Sequence, residues 1–190
     1  MTMYFLSKNS SGGLAEMKLK KGYVQIYTGD GKGKTTAAIG LALRAVGAGM
    51  RVFIAQFLKG KGSSEFTALS KLGDSVTFAH YGRGGFIQGE PTEEDKALAR
   101  KGLEEVRQAM ESGKYDVIIL DEATMANFFH LLSVEDLLGL IHQRPPSVEL
   151  IITGRRADPR LIETADLVTE MKEVKHYYTK GVMARKGIES

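Results

Sequence analysis

Apolar and polar positions along this chain change period many times. Tyr23-Val24-Gln25-Ile26-Tyr27-Thr28 is a β-branched and aromatic run that ends in glycines and reads as a strand. From about Lys34 the period becomes helical, with Ile39, Leu43 and Val46 on one face and Gly47 and Gly49 as the stop. Arg51 to Phe57 is a second strand. A loop carrying Gly60, Lys61 and Gly62 then leads to a short helix near 64–72 and a strand over Val76 to Ala79. Tyr81-Gly82-Arg83-Gly84-Gly85-Phe86 opens a second glycine-rich loop that runs to Pro91. Thr92 with Asp95 is a capping-type helix start, and Ala99, Leu103, Val106 and Met110 supply its buried stripe. Asp116 to Asp121 is apolar without interruption, the pattern of a strand covered on both faces. Ser133 with Asp136 caps another helix, which buries Val134, Leu137, Leu138 and Ile141. Val148 to Ile152 is a further strand, Asp158-Pro159 is an N-cap with proline at the first helical position, and Leu167 to Thr169 adds a last strand.

Strands that alternate with helices predict an α/β fold: a mostly parallel central sheet of about six strands with helices on both faces. Residues 1–21, rich in Ser, Gly and Lys, read as an arm, and 22–190 as one domain without internal repeat. Composition narrows the chemistry. The 190 residues are 43% hydrophobic and 26% charged, ordinary globular values that argue against disorder. No cysteine is present, which removes disulfides, thiolate zinc sites, cysteine-ligated clusters and thiol nucleophiles. Histidines 80, 130, 142 and 176 have no spacing that places two on one helical turn, so a histidine metal site is not expected. No uncharged apolar run reaches the ~18 residues of a membrane span, and the opening Met-Thr-Met-Tyr-Phe-Leu lacks a signal peptide's positive start, so a cytoplasmic setting without a membrane is the expectation. A formal charge of +3 is too small to point to nucleic acid.

Glycine numbers 22, an excess that is clustered. Thr28-Gly29-Asp30-Gly31-Lys32-Gly33-Lys34-Thr35-Thr36 lies between a strand and a helix, where backbone N–H groups turn inward around phosphate oxygens. Lys34 would reach the terminal phosphates as a point charge, the Thr35 hydroxyl would ligate Mg²⁺, and the helix N-terminus adds its dipole. The usual phosphate loop has glycine five residues before Gly33; Thr28 stands there, and the Gly29-x-Gly31-x-Gly33 core compensates. Val117 to Leu120 delivers Asp121 and Glu122 at a strand's carboxyl end, where such sheets place their Mg²⁺ or water-orienting acids. The pair predicts a nucleoside triphosphate site in a P-loop NTPase-like fold.

A phosphate loop does not say which bond breaks. Gly29 to Thr36, Gln56-Phe57-Leu58-Lys59-Gly60, Asp121-Glu122, Thr153-Gly154-Arg155 and Val174-Lys175-His176 together resemble the ATP:corrinoid adenosyltransferase family, over about Gly22 to Ile188. The resemblance implies that a corrinoid Co(I) centre attacks the 5′ carbon of ATP and releases inorganic triphosphate, with ATP bound in a reversed sense. The attacking atom then belongs to the substrate, and the protein aligns reactants and stabilises the leaving group. Carried over residue by residue, the resemblance gives Gly29, Asp30, Gly31, Lys32, Gly33, Lys34, Thr35 and Thr36 to the nucleotide, and Thr35, Glu122 and Asp121 to Mg²⁺, with Mn²⁺ as the alternative. Lys34, Glu122 and Phe86 are the catalytic candidates. Arg155 reaches nucleotide phosphate or is a solvated loop arginine. Gln56 contacts ribose or corrinoid or is a strand-end polar residue, and Lys175 and His176 are positions for packing or nucleotide contact.

Relatives often carry a Phe-x-Trp pair on the corrinoid face, where an apolar wedge excludes the lower axial ligand and raises the Co(II)/Co(I) potential. Here the candidates are Phe86, Ile87 and Gln88, and glutamine stands at the tryptophan position. Glutamine is the poorer wedge, which favours incomplete corrinoids. The resemblance further implies a flavoprotein or ferredoxin-type electron donor and a homodimer in which the 1–21 arm, with Lys18, Lys20 and Lys21, covers the active site. The competing reading is a recombinase-like ATPase or nucleotide switch on a nucleic acid, but 190 residues leave little room for a binding appendage and no aromatic–basic stripe is present. A nucleoside kinase with a zinc lobe would need the missing cysteines.

Overall fold

A computed structural model describes residues 19–60, 64–84 and 89–189. Six parallel strands form one sheet in the order β3-β2-β4-β5-β1-β6: β1 (Val24–Thr28), β2 (Val52–Phe57), β3 (Val76–Tyr81), β4 (Val117–Asp121), β5 (Glu149–Thr153) and β6 (Leu167–Glu170). The uninterrupted apolar runs are the central strands, and every residue of β2 and β4 is buried. β6, on the edge, is exposed throughout.

Period-two alternation sends one set of side chains to each face. Val52, Ile54, Val117, Ile119 and Ile151 meet α1 (Lys34–Gly47). Phe53, Ala55, Ile118, Leu120, Leu150 and Ile152 meet the core shared with α3 (Glu93–Glu111) and α5 (Val134–Gln143), where Leu103, Val106, Leu137 and Leu140 pack. Helices therefore cover both faces, as the alternation implies. Both expected capping boxes are present: Thr92 with Asp95 starts α3, and Ser133 with Asp136 starts α5. Asp158 caps α6 (Pro159–Thr164) by accepting from Arg160 N–H.

Five details correct the sequence reading. The face of α1 that meets the sheet is Ala38, Ala42 and Ala45, whereas Leu43 is 49% exposed. Small residues let α1 lie close against β4 and β5, with Ile39 and Val46 partly buried at the margins of that contact and Leu43 turned outward. Leu140, not Leu138, is fully buried in α5. The helix near 64–72 is α2 (Ser64–Leu69) followed by a 3₁₀ segment, Ser70–Ser75, and β3 extends two residues beyond Ala79. A short helix, α4 (Ala123–Phe128), begins at once after Asp121-Glu122, where the sequence pattern assigns no element. Its six residues are too few to show a period.

Candidate nucleotide site

The carboxyl ends of β1, β2, β4 and β5 converge on one cleft, the position at which open α/β sheets bind ligands. Its cavity of about 620 Å³ is lined by Gly31 to Thr36 of the β1–α1 loop and by Glu122 and Arg155, with Leu58, Met125 and Phe129 as its apolar side. That volume is in the small-molecule range.

Asp121 organises the floor. β2 and β4 pair in a register that places Gln56 beside Asp121, and Gln56 Nε2 donates to Asp121 Oδ2 at 2.7 Å. Asp121 Oδ1 accepts from Thr35 Oγ1 at 2.8 Å and from Thr153 Oγ1 at 2.7 Å. Thr153 Oγ1 in turn accepts the Glu122 N–H at 3.1 Å. Strands β2, β4 and β5 and the first turn of α1 thus close on one carboxylate that is 1% exposed. Gln56, expected either against ribose or corrinoid or as a strand-end polar residue, is buried at the end of β2 as a partner of Asp121.

Lys34 Nζ curls back over its own loop and donates to Gly29 O at 2.6 Å and Gly31 O at 2.7 Å. Burial, and then the Arg155 charge, hold its pKa below the usual lysine value. Gly31 N–H donates to Met171 O at 2.6 Å, and a Cβ at Gly31 would fall 2.6 Å from the same oxygen. The glycine is therefore required for the loop to pass beneath the strand leaving β6, a reason independent of any phosphate.

Glu122 has φ 60°, an unusual conformation for a non-glycine residue. Burial first, and the neighbouring Asp121 second, push its carboxyl pKa upward. Leu58 has φ 66° and Lys59 N–H donates to Phe57 O, which makes a strained three-residue turn. That turn brings Lys59 Nζ to 4.0 Å from Asp121 and 3.9 Å from Glu122. Backbone strain of this kind persists only where surroundings enforce it, and both cases here flank the cleft.

Of the residues singled out from sequence, Gly31, Lys32, Gly33, Lys34, Thr35, Thr36, Glu122, Arg155 and His176 line the cavity. Asp30 lies outside that lining, with Arg155 Nε 3.9 Å from its carboxylate. Phe86, Ile87 and Gln88, and residues 1–18 of the arm, lie outside the described residues. Gly84 abuts the cavity wall: a Cβ on Gly60 would lie 2.7 Å from Gly84 Cα.

Sequence reasoning missed Lys59, Thr153, Met125 and Phe129, and it missed the rim at 177–189. Lys59 and Thr153 stood inside motifs quoted as units. Nothing local marks the others, which α4 and the end of the chain bring in.

The donor set for a metal is all hard oxygen: the Thr35 hydroxyl and the carboxylates of Asp121 and Glu122. No group of three or more His, Asp or Glu residues is assembled among the described residues. One or two carboxylates completed by substrate phosphates and water are what Mg²⁺ takes, so the residues fit that ion. No helix among the described residues is long and apolar enough to cross a membrane.

Comparison with known proteins agrees with this geometry. The family model described as "ATP:corrinoid adenosyltransferase BtuR/CobO/CobP" matches residues 20–190. A corrinoid adenosyltransferase of Pseudomonas aeruginosa is 33% identical over 177 residues, covering 93% of this chain and 87% of the relative. One from Escherichia coli K12 is 34% identical over 177 residues, with 93% and 89% covered. The corrinoid adenosyltransferase CobA of Salmonella typhimurium is 33% identical over the same length, with 93% and 89% covered.

Proposed function

The chain belongs to the ATP:corrinoid adenosyltransferase family, and from that premise we propose how its cleft carries out the transfer. The enzyme moves the adenosyl group of ATP to a corrinoid. In the proposed reaction the electron pair of the substrate's Co(I) attacks C5′ of ATP. A Co–C bond forms, the C5′–O5′ bond breaks, and inorganic triphosphate leaves with that bond's electrons. The observation that carries the reading is the mixed lining of one cleft: the phosphate-loop cations Lys32 and Lys34 together with the apolar side chains of Leu58, Met125 and Phe129.

Lys34 and Lys32 grip the triphosphate, and their charge counts most as negative charge develops on the departing oxygens. Thr35, Asp121 and Glu122 would hold Mg²⁺ or Mn²⁺, which would neutralise charge on the phosphate oxygens. Gln56 and Thr153 fix the Asp121 carboxylate, and Lys59 faces both acids. Arg155 meets the phosphate tail from the β5 side. The nucleotide lies in the reversed sense, so that C5′ faces the corrinoid. The contact between Gly84 and Gly60 supports a corrinoid face that includes Phe86, Ile87 and Gln88. With glutamine at 88, incomplete corrinoids are favoured; equal turnover of cobalamin and cobinamide would overturn that preference. Residues 1–21 act as a lid across a homodimer over the 22–190 catalytic unit, and a flavoprotein or ferredoxin-type reductase supplies Co(I). Deleting residues 1–20 should raise KM for corrinoid.

Incubation with ATP and chemically reduced corrinoid tests the reaction. The expected products are adenosylated corrinoid and inorganic triphosphate in equal amounts; ADP and phosphate alone would rule the reading out.

A further inference from the structure

Lys32 differs from Lys34 in what its ammonium touches. Its Nζ donates to Ile188 O at 2.7 Å, to Glu189 Oε1 at 3.1 Å and to Tyr177 Oη at 3.4 Å. An ammonium has three hydrogens, so all three are taken by the 177–189 segment. Lys32 cannot donate to a phosphate oxygen without giving up one of these partners. Ile188 and Glu189 themselves line the cavity that the phosphate loop lines.

Glu189 is equipped to give Lys32 up. Its carboxylate also accepts from Arg185 N at 2.7 Å, from Arg185 Nε at 3.2 Å, from Arg185 Nη2 at 3.1 Å and from Tyr177 Oη. With Lys32 gone it remains hydrogen-bonded and paired with a cation, so no charge is stranded. Arg185 is also the first reason that its pKa lies well below the usual carboxylate range, which keeps it anionic at neutral pH. Lys32 is 42% exposed. The Glu189 side chain is 15% exposed, and an ion pair with its lysine open to water is a weak competitor, worth at most about fivefold in an equilibrium.

We propose that the 185–189 turn is an intramolecular competitor for the triphosphate tail: Glu189 yields Lys32 to incoming polyphosphate and recaptures it to help expel the product. The inference rests on the reading that this loop binds the phosphate tail. A tethered carboxylate acts at high effective concentration whatever the free ligand level. It therefore opposes tight retention of a polyanion held by Lys32, Lys34 and Arg155.

Calorimetry with inorganic tripolyphosphate on the wild type, E189Q, K32M and the double variant tests the proposal, beside amide hydrogen exchange on the wild type. E189Q should tighten tripolyphosphate binding about two- to fivefold, and the same change in the K32M background should have no effect. Ile188 and Glu189 N–H, both bonded to Arg185 O, should exchange faster when tripolyphosphate is added. Unchanged or weaker binding by E189Q, an equal gain without Lys32, or slower exchange at these two amides would overturn it. Absence of tripolyphosphate binding by the wild type would overturn the phosphate-loop reading as well, so the two failures are distinguishable.

Discussion

The floor and the rim of the cleft each centre on one carboxylate, and they hold it in different ways. On the floor, Asp121 is sealed beneath the sheet's carboxyl ends and receives Thr35, Thr153 and Gln56 from three separate elements. On the rim, Glu189 receives Arg185 and Tyr177 from its own neighbourhood and reaches the phosphate loop only through exposed Lys32. A buried carboxylate leaves its donors stranded if it is removed, because no water replaces it. A carboxylate that keeps other donors, and whose lysine partner is open to water, exchanges that lysine at small cost. The floor holds its carboxylate with three donors from distant elements, whereas the rim leaves Glu189 its Arg185 and Tyr177 donors if Lys32 is withdrawn.

The largest effect should come from Asp121→Ala. Buried Gln56 and Thr153 lose their acceptor at about 1–3 kcal/mol each, while Thr35 faces the cavity, so urea unfolding should show a loss of about 2–6 kcal/mol. Adenosylation should fall by at least about a hundredfold, the scale of removing a preorganised electrostatic group. A fully active, equally stable variant would show that the floor is not what orders the site.

Thr153→Val should come next. It deletes one hydroxyl that donates to Asp121 and accepts from Glu122 N–H. Stability should drop by about 1–2 kcal/mol. The kinetic loss should appear in kcat with KM for ATP nearly unchanged, since Lys34 and the loop stay in place. Loss confined to KM would instead put Thr153 in direct contact with the nucleotide. Lys59→Met removes a half-exposed cation and should leave stability within about 0.5 kcal/mol. Lys59 is one of the charges that lower the Glu122 pKa. Without it that pKa rises further, so the acid limb of the activity profile should move to higher pH. An acid limb that does not move would detach Lys59 from Glu122.

Sequence legibility divides along the same line. Lys34, Thr35 and Asp121-Glu122 were readable because each motif is a local solution: a turn that needs glycine, or a strand end that needs an acid. Asp121 and Thr35 lie 86 residues apart and still meet, since the parallel sheet implied by alternating strands and helices puts all strand carboxyl ends on one edge, though the strand order that makes them neighbours was not legible. The Gln56 side chain was left between a ligand contact and a strand-end polar residue because strand polarity alone gives no register, and register is what puts it beside Asp121. Lys32 and Glu189 are 157 residues apart and joined by side chains on an irregular segment, so no periodicity foretold the meeting. The alanine face of α1 was missed because apolar area, read by itself, favours leucine over the small residue that close packing needs.

The smallest effect at neutral pH, and the sharpest test of whether burial or position matters, lies at Arg83. This residue stands in the loop whose Gly84 abuts the cleft, so it is a rim residue by place, but its partner is built like the floor. Asp95 is 8% exposed and accepts from Arg83 Nε and Nη2, each at 2.8 Å, and from Thr92 N and Oγ1. The guanidinium is the first cause that pulls its pKa down to about 2. A carboxylate whose folded pKa is depressed contributes stability above its unfolded value near 3.9, and that contribution is lost as pH falls toward about 2. Arg83→Ala should raise the Asp95 pKa only part of the way back, because Thr92 continues to donate. The variant should therefore be less stable than wild type at pH 7, and the two stability curves should converge as pH approaches 2. Adenosylation at neutral pH should change severalfold at most. A stability gap that stays constant from pH 7 to 2 would mean that Arg83 acts through packing rather than charge. A kinetic loss as large as that of Asp121→Ala would mean that this rim, unlike the one at Glu189, holds a reacting group in place.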